Sequence, residues 1–367
     1  MKLTIDRDEL LRGLGRIQAV VERRGALPIL SNVLVDARSE GIAMSATDLE
    51  VGVVSEHTAQ VEQTGAITLG ARKLHDLVRE FEDPEVRIRT EDSARVGIEC
   101  GASRIQLLSI SPEEYPTLPS AEGVEFVQIE ASLLGEMIDA TLYAASNDEA
   151  RYNLNGVFMQ LSDGKLVLVA TNGHRLAKIE RTPPAPVSFL EKGITVPRKG
   201  VAEIRKLCDE TEGSVEIGLG DGFLLVKTEG LVLSCRLIDG DFPDYRQVIP
   251  SGHQIRVMVE RERLIHAVRR LSIVAHERSG GFQLALEEGS LQLSASNPDL
   301  GEAREEIPAD YSGDRFETGF NARYVLDALA SAVAKEIAIE LSDDLSAAKL
   351  RPADDPDQVA IIMPMRA

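Results

Sequence analysis

One pattern of hydrophobic and polar positions occurs three times along the chain. Each copy begins with a short β-branched run, continues through charged or polar residues, and enters an apolar stripe with helical spacing. We therefore predict a strand that leads directly into an amphipathic helix at each of these places. The three stripes are Leu10, Leu11, Leu14 and Ile17, then Leu133, Leu134, Met137 and Ile138, then Leu264, Ile265, Val268 and Leu271.

Behind each predicted helix, two alternating runs indicate paired strands joined by a tight turn. Each pair ends in a polar corner, and successive corners lie about 125 residues apart. The strand pairs are residues 30–37 with 41–46, 155–161 with 165–170, and 282–286 with 290–294, and the corners are residues 47–50, 171–174 and 296–299.

A second helix follows in each copy, opened by a short polar or basic box at residues 71–73, 197–199 and 321–323. A β-rich tail closes each copy, and proline-bearing connectors separate the copies. Because three landmarks share one period, we predict three domains, 1–122, 123–252 and 253–367. The element order predicts the α+β class, with two helices packed on one face of an antiparallel sheet in each domain.

Composition narrows the class of protein. Trp is absent and aromatic residues make up 4% of the chain, which argues against specificity built on base stacking. A formal charge of −20 argues against an ordinary nucleic-acid binder, although a modest basic surface on one side remains compatible with it. Cys100, Cys208 and Cys235 lack metal spacing and predict buried, reduced thiols. With no apolar run near the ~18 residues of a membrane span, we expect a cytoplasmic protein.

A repeat of this length is too long for a solenoid unit, so each domain should fold by itself. Six predicted helices placed side by side at ~9 Å spacing would close a ring with a hole of only several ångströms. Twelve helices from two chains would leave a hole of roughly 23 Å. The geometry therefore favours a head-to-tail homodimer that closes by rotation.

Four motifs carry a family resemblance. They are ATNGHRLA at 170–177, VPRKG at 196–200, DGDFPDYRQVIP at 239–250 and MPMR at 363–366. Together, over the whole chain, they resemble the bacterial sliding clamps, the β subunits of DNA polymerase III. The resemblance implies three clamp domains per chain and a homodimeric ring whose helices face duplex DNA. Contacts to phosphates without base readout would leave binding independent of sequence.

The resemblance also implies a function and partners. It implies a processivity factor without catalytic activity or cofactor, which tethers the replicative polymerase to DNA. Its partners would be the polymerase III α subunit, the clamp loader, and other polymerases and repair proteins that dock through short apolar peptides. No membrane partner is implied.

By resemblance, the DNA contacts lie on the basic boxes and on two loops. The middle copy departs from this pattern because Glu136 and Asp139 stand where a basic helix would help. We therefore expect a smaller contribution from the second domain. The predicted DNA-binding residues are Arg24, Arg72, Lys73, Arg151, Tyr152, Arg198 and Lys199.

The resemblance places the partner-peptide groove between the second and third domains. Leu, Ile and Met offer adaptable apolar walls, while His174 and Arg175 could orient the polar ends of a peptide. Gln247 replaces a common Arg, and Asn172 replaces a common Asp whose turn role it should keep. The predicted groove residues are Leu154, Thr171, Gly173, His174, Arg175, Leu176, Pro243, Val248, Ile361, Ile362, Met363, Pro364, Met365 and Arg366.

For the dimer interface, the resemblance pairs an edge strand of the first domain with one of the third domain. The matching stretches are 103–108 and 271–276. The predicted interface residues are Arg104, Ile105, Leu107, Ile273 and Val274.

Two other function classes fit the residues less well. An enzyme is disfavoured because the G-x-G-x-G run at 218–222 continues as a strand, which predicts a hairpin turn and no phosphate-binding loop. His174 has no nucleophile motif nearby, and the histidines show no metal spacing. An acidic scaffold that docks partner peptides without encircling DNA fits the charge, but basic residues on the repeated helices disfavour it.

Overall fold

The computed structural model describes residues 1–21, 27–92, 94–250, 252, 254–276 and 280–365, with Glu149 described by its backbone alone. Two predicted site residues, Arg24 and Arg366, lie outside this set. The α-helices of the described residues are α1 (Arg7–Ile17), α2 (Ala71–Arg79), α3 (Ala131–Asp139), α4 (Arg198–Glu210), α5 (Arg261–Val274) and α6 (Ala322–Ser331).

The described strands fall into four antiparallel sheets. They are β1 (Lys2–Asp6), β2 (Asn32–Arg38), β3 (Gly41–Thr47), β4 (Val51–His57), β5 (Gln60–Gln63), β6 (Gly65–Gly70), β7 (Glu85–Thr90), β8 (Arg95–Cys100), β9 (Ser103–Leu108), β10 (Phe126–Glu130), β11 (Gly156–Ser162), β12 (Lys165–Thr171), β13 (Arg175–Arg181), β14 (Ile194–Pro197), β15 (Ser214–Gly220), β16 (Phe223–Thr228), β17 (Leu231–Arg236), β18 (Ile255–Glu260), β19 (Gly281–Glu287), β20 (Ser290–Asn297), β21 (Gly301–Pro308), β22 (Phe316–Asn321), β23 (Glu336–Leu341), β24 (Ala348–Pro352) and β25 (Gln358–Ile362).

The three predicted strand-to-helix units are confirmed as β1–α1, β10–α3 and β18–α5. In the first, Asp6 caps the helix because its carboxylate accepts hydrogen bonds from the backbone N–H groups of Asp8 and Glu9. The predicted stripes supply the buried faces of all three helices, and Leu11 and Leu133 are half-buried at the stripe edges.

Strand order shows how the repeats combine. Sheet 1 has the order β5-β1-β7-β8-β9, and sheet 4 has the order β21-β20-β19-β22. Sheet 2 (β10-β15-β16-β17-β4-β3-β2-β6) and sheet 3 (β18-β23-β24-β25-β13-β12-β11-β14) each take strands from two successive repeats. The joining pairs are β4 with β17 and β13 with β25. We did not predict β4 and β13, which follow the polar corners.

The chain divides into two compact units. One contains Met1–Ala131 and Lys206–Leu237, with sheets 1 and 2, and the other contains Ser132–Arg205 and Ile238–Ala367, with sheets 3 and 4. These units differ from the three predicted domains because strand pairing joins residues of successive repeats. The domain boundaries 1–122, 123–252 and 253–367 remain predictions.

The best-defined core lies in the third repeat. There α5 packs against α6, against β18 of sheet 3 and against β20 and β21 of sheet 4, so the two helices contact strands of two sheets rather than one. The cluster includes Leu264, Leu271, Phe282, Leu329 and Ile362, which are at most 1% exposed. Burying side chains of this size provides about 1.5–3 kcal/mol each.

Two smaller predictions are confirmed. Cys100, Cys208 and Cys235 are free and buried. The G-x-G-x-G run forms the hairpin between β15 and β16, and Asp221 and Gly222 occupy its turn with positive φ. No helix in the described part of the chain is long and apolar enough to cross a bilayer.

One prediction about secondary structure is wrong. Residues 271–274 form the last turn of α5, and they are not an edge strand. The apolar pair Ile273 and Val274 resembles a strand in sequence. The apolar stripe of the helix continues through Leu271, however, so both residues lie in the last turn of α5. In the described sheets, the edge strands of the third repeat are β18, β21 and β22.

Candidate peptide groove and nucleic-acid contacts

A tight corner connects β12 to β13. The Thr171 hydroxyl donates to the carbonyl of Arg175 at 2.7 Å and accepts from the N–H of Gly173 at 3.1 Å. The Asn172 side-chain oxygen accepts from the N–H groups of His174 at 3.0 Å and Arg175 at 3.1 Å. Gly173 has a φ of 86°, which a residue with a side chain rarely adopts. Asn172 therefore keeps its predicted turn role, and His174 is held exposed.

Beside this corner, one face of sheet 3 carries an apolar group that we call the groove cluster. Its aromatic floor contains Phe158 stacked on Phe242, with 4.9 Å between ring centroids. At its rim, the apolar side chains of Val248 and Met363 remain 54% and 44% exposed. Such a surface can bind apolar peptide side chains. The groove cluster comprises Val167, Val169, Leu176, Tyr245, Ala347, Val359 and Ile361, with Phe158, Phe242 and Ile249 packed against them.

Several predicted groove residues lie in the corner or in the groove cluster. Leu176 and Ile361 belong to the groove cluster. Thr171, Gly173 and His174 form the corner, and the N–H of Met363 donates to the carbonyl of His174 at 2.9 Å. The remaining members are Pro243, which is exposed, Pro364, which is half-buried, and Leu154, which is 8% exposed.

Ile362 does not line the same face as Ile361. Successive side chains of a strand point to opposite faces of the sheet. Ile361 packs in the groove cluster, and Ile362 packs in the core beneath α5 and α6. Assigning both residues to the groove was therefore wrong for Ile362.

Arg175 also points away from the groove cluster. One of its guanidinium nitrogens donates to the Asp327 carboxylate at 2.6 Å, and the other donates to the carbonyl of Tyr143. The guanidinium lies 4.6 Å from the centre of the Tyr324 ring. The residue is 8% exposed. The expectation that Arg175 orients a peptide is thus replaced by a structural role that fixes β13 to α6.

Met365 leaves the groove as well. Its N–H donates to the carbonyl of Gly319 at 2.8 Å, and it lines a separate cavity on sheet 4 together with His276 and Gln283. Its assignment to the groove was wrong because the tail turns towards sheet 4 after Pro364.

Sequence reasoning missed eight of the ten residues of the groove cluster, including Phe158, Val167, Val169, Tyr245 and Val359. A signal existed in β12, where residues 166–170 form a continuous apolar run. A strand without alternation is buried on both faces, so the run indicated a second apolar surface.

The predicted DNA contacts divide into exposed and engaged residues. Arg72 and Lys73 are exposed in the first turn of α2, and Tyr152 is 52% exposed. Arg151 is exposed, but its guanidinium donates to the carbonyl of Asn172 at 3.0 Å and lies against Gly173. Arg151 therefore supports the corner of sheet 3.

Arg198 is a further engaged residue. Its guanidinium donates to the carbonyls of Leu142 at 3.0 Å and Ala145 at 3.3 Å, just beyond the end of α3. Burial lowers the pKa of Arg198, and the charges of Arg175 and Arg323 lower it further. Its neighbour Lys199 is half-buried. The basic residues predicted at the start of α4 are therefore partly engaged in contacts within the protein.

Three family models match the chain. They describe the N-terminal, central and C-terminal domains of the DNA polymerase III beta subunit and cover residues 1–119, 128–244 and 246–366. The chain belongs to this family of sliding clamps. The beta sliding clamp of Pseudomonas aeruginosa is 36% identical, with all of both chains covered.

Solved clamp structures share the fold over the full length of both chains. The DNA polymerase III subunit beta of P. aeruginosa matches with a TM-score of 0.95 at 35% identity. The sliding clamp of Bartonella birtlesii, solved bound to griselimycin, matches with a TM-score of 0.95 at 36% identity. The α+β clamp fold and the resemblance noted in the sequence are thus confirmed.

For a clamp, the acidic residues of the second repeat call for an explanation. Glu136 accepts from Arg181 at 2.6 Å, and Asp139 accepts from Arg205 at 2.8 Å. Each carboxylate that stands in place of a basic residue on α3 is therefore matched by an arginine of the same chain. Ion pairing reduces the repulsion that these carboxylates would exert on phosphates.

Proposed function

We propose that this chain works as a DNA sliding clamp in the bacterial cytoplasm, with three domains bounded at residues 122 and 252. Two copies close into a ring around duplex DNA, and the groove cluster docks the polymerase, the clamp loader and repair proteins. The observation that carries this proposal is the match of all three beta-subunit domain models along one chain. The clamp itself performs no chemistry.

The groove cluster supports the docking role. It combines buried aliphatic and aromatic side chains with the exposed rim residues Val248 and Met363. Burying apolar area at about 25 cal/mol per Å² makes this face suitable for leucine or phenylalanine side chains of a peptide. His174, exposed beside it, can bond the peptide's polar groups.

The basic residues of the repeated helices support weak electrostatic binding to DNA, which allows sliding. Arg12 pairs with Glu9, Arg263 pairs with Glu260, and Arg270 pairs with Glu305. Arg72 and Lys73 are exposed. These ion pairs reduce the positive charge that the helices present to DNA. Because contacts to phosphates carry no sequence information, binding has little preference for any position along the duplex.

Two edge strands support the ring contact. In the described sheets, β9 and β21 each have a neighbour on one side only. β9 offers the exposed Arg104 and half-buried Ile105 and Leu107, whereas β21 offers Glu302 and Glu306. We place the interface between β9 of one copy and β21 of the other, with Ile273 and Val274 at the end of α5 beside it.

The ring proposal is tested by retention on DNA. After loading by a bacterial clamp loader, the protein should remain on a nicked circle through gel filtration and be lost when the circle is cut to a linear form. Loss from both forms would support the alternative of an acidic scaffold that docks peptides without encircling DNA. Retention on both forms would contradict sliding.

The interface is tested by a charge substitution. Ile273 is 75% exposed, so Ile273→Glu should leave the fold intact and convert dimers to chains of 39.9 kDa in sedimentation. Val333→Glu is the matched control because Val333 is 90% exposed and lies away from β21 along the chain. An unchanged dimer in Ile273→Glu would move the interface elsewhere.

A further inference from the structure

The corner of sheet 2 repeats the corner of sheet 3 bond for bond. The Thr47 hydroxyl donates to the carbonyl of Val51 at 2.9 Å and accepts from the N–H of Leu49 at 2.9 Å. The Asp48 carboxylate accepts from the N–H groups of Glu50 at 3.0 Å and Val51 at 2.7 Å. Leu49 has a φ of 76° at the position that glycine occupies in sheet 3. The backbone frame of the groove therefore exists twice.

The strand register identifies equivalent positions in the two sheets. Gly52 lies opposite Thr47 and Ser234. Leu176 lies in the same relation to Thr171 and Ile361. Gly52 is thus the counterpart of Leu176, and Ser234 is the counterpart of Ile361.

The same mapping extends along β3. Ser45 lies opposite Leu34 as Val169 lies opposite Phe158. Ala43, two residues earlier, then corresponds to Val167. Every one of these sheet 3 residues belongs to the groove cluster. In sheet 2 the floor is made of small side chains: Ala43, Ser45, Gly52 and Ser234 in place of Val167, Val169, Leu176 and Ile361.

The connector at residues 112–119 fills the space that these small residues leave. The Tyr115 hydroxyl donates to the carbonyls of Ser45 at 3.2 Å and Asn32 at 3.3 Å. A Cβ added to Gly52 would overlap the Leu118 side chain. A glycine inside a strand often marks such a close approach. The connector therefore lies directly on the sheet.

The connector of sheet 3 has the same spacing between its tyrosine and the next apolar residue, but that apolar residue is more exposed. Tyr245 is buried in the groove cluster, and Val248 follows three residues later, as Leu118 follows Tyr115. Val248 stays 54% exposed at the rim, whereas Leu118 is half-buried against Gly52. Both connectors bury a tyrosine against their sheet, but Val248 remains mostly exposed, whereas Leu118 packs on Gly52.

We infer that sheet 2 carries a second copy of the peptide groove that the chain's own connector keeps closed, with Leu118 seated on Gly52 where a partner side chain would bind. This inference rests on the proposed docking role of the groove cluster. The Gly52–Leu118 pair limits each chain to one open groove and so sets how many partners a clamp can hold.

Two properties favour Leu118 over a free peptide at this site. Leu118 is tethered to the same chain, and the side chains beneath it are small. Leu118 belongs to the same chain, and a short tether presents its side chain at an effective concentration near the millimolar range. A free peptide must displace it and would gain little apolar contact from Ala43, Ser45, Gly52 and Ser234. The wild-type corner of sheet 2 should thus remain closed at the micromolar peptide concentrations that fill the open groove.

The first test gives sheet 2 the larger side chains of sheet 3 and truncates Leu118. The variant Gly52→Leu/Ser234→Ile/Leu118→Ala copies Leu176 and Ile361 into sheet 2 and shortens the connector residue. The probe is acetyl-Leu-Ala-Leu-Phe-amide, titrated by calorimetry. We expect one peptide per chain for the wild type and two for the variant. Circular dichroism and thermal unfolding check that the variant is folded.

A blocking substitution separates the two sites. Val248→Arg places a charge at the exposed rim of the open groove and should abolish binding to the wild type. In the rebuilt variant, the same substitution should leave one peptide per chain. If the wild type binds one peptide and the folded rebuilt variant also binds one, the closed-copy inference is wrong and the proposed docking role stands. If the wild type binds none, the docking role fails and the inference fails with it.

A single substitution tests the contact between Leu118 and Gly52 without added peptide. In Gly52→Leu the new side chain cannot share space with Leu118, so the connector should lift from the sheet. Cleavage by a Glu-specific protease after Glu113 and Glu114 should then become at least tenfold faster than in the wild type. The control Gly15→Ala changes a glycine of α1 that has no heavy atom within 4 Å of an added Cβ and no positive φ. A cleavage rate in Gly52→Leu equal to the control would overturn the inference.

Discussion

Sheets 2 and 3 share a strand order and a corner but differ in the side chains on one face. The corner of each sheet is held by a threonine hydroxyl and an Asp or Asn oxygen that bond to backbone groups. These bonds do not depend on the residues of the neighbouring strands. A repeat can therefore keep its backbone while the side chains of its floor determine whether a partner binds.

The opposite face differs as well. Val51, which is fully buried, occupies the position of Arg175. Sheet 2 uses an apolar contact at this point, whereas sheet 3 uses an arginine paired with Asp327. A buried ion pair specifies geometry but contributes less to stability than a well-packed apolar side chain of similar size.

The largest expected effect comes from copying the floor of sheet 2 into sheet 3. Leu176→Gly/Ile361→Ser removes two apolar side chains from the proposed floor, so a peptide has less apolar surface to contact and its affinity should fall at least about 100-fold. Because both side chains are buried in the free protein, circular dichroism first checks that the variant is folded. Fluorescence anisotropy of a labelled Leu-Ala-Leu-Phe peptide measures it. The volume-conserving Leu176→Met is the control and should bind within about threefold of the wild type. Unchanged affinity in the double variant would show that the groove cluster is not the docking surface.

The second effect concerns stability. Arg175→Val copies sheet 2 but leaves Asp327, which is 33% exposed, with only the longer pair to Arg323 at 3.9 Å, so the free energy of unfolding should fall by about 2 kcal/mol. Adding Asp327→Leu should recover part of this loss because the carboxylate that lost its hydrogen bond is then absent. Urea denaturation of the four proteins of this cycle measures both values. Full additivity of the two substitutions would contradict the pairing.

The third effect depends on pH. Burial raises the pKa of Tyr115 to about 12 from its ordinary value of 10.0. Because the folded-state pKa is higher, the stabilisation by the neutral phenol is complete below pH 10 and is lost as pH rises from about 10 to about 12. Two units correspond to at most about 3 kcal/mol.

Tyr115→Phe should remove this alkaline dependence and cost about 1 kcal/mol at pH 8 through its two lost hydrogen bonds. Unfolding midpoints between pH 8 and 12 measure it, and Tyr152→Phe at an exposed site is the control. A wild-type slope equal to that of Tyr115→Phe would mean that the connector does not hold the phenol against Ser45.

The smallest effect compares the corners. Asp48→Ala and Asn172→Ala each remove an acceptor of two backbone N–H groups and should each cost about 1 kcal/mol of unfolding free energy. Only Asn172→Ala should also weaken peptide binding, because only the corner of sheet 3 bonds to the segment that carries the exposed Met363. Equal losses of peptide affinity in both variants would erase the distinction between the two sheets.

Much of the candidate site could be predicted from local sequence. The corner at 171–174 and the connector at 242–250 were found because turn residues and their spacing identify such features without knowledge of the fold. The rim residues Val248 and Met363 followed from the family resemblance. The aromatic floor around Phe158 was missed because its partners Phe242 and Tyr245 are far away in sequence.

Roles that depend on side-chain direction were predicted less well. Ile362, Arg175 and Met365 were assigned to the groove, but the alternation of β25 and β13 and the turn of the tail send them elsewhere. Arg198 was assigned to DNA, yet carbonyls near the end of α3 engage it. A motif fixes which residues are near a site, while the face each one presents depends on strand pairing.

The sequence by itself determined the three repeats, their helices, their corners and the α+β class, because hydrophobic periodicity and turn chemistry act over a few residues. Only the tertiary structure decided that β4 pairs with β17 and β13 with β25. These pairings join residues far apart in the chain, and they place Gly52 where Leu118 packs on it and Leu176 beside Ile361 in the groove cluster. Register between distant strands sets which side chains share a surface, and no local pattern encodes it.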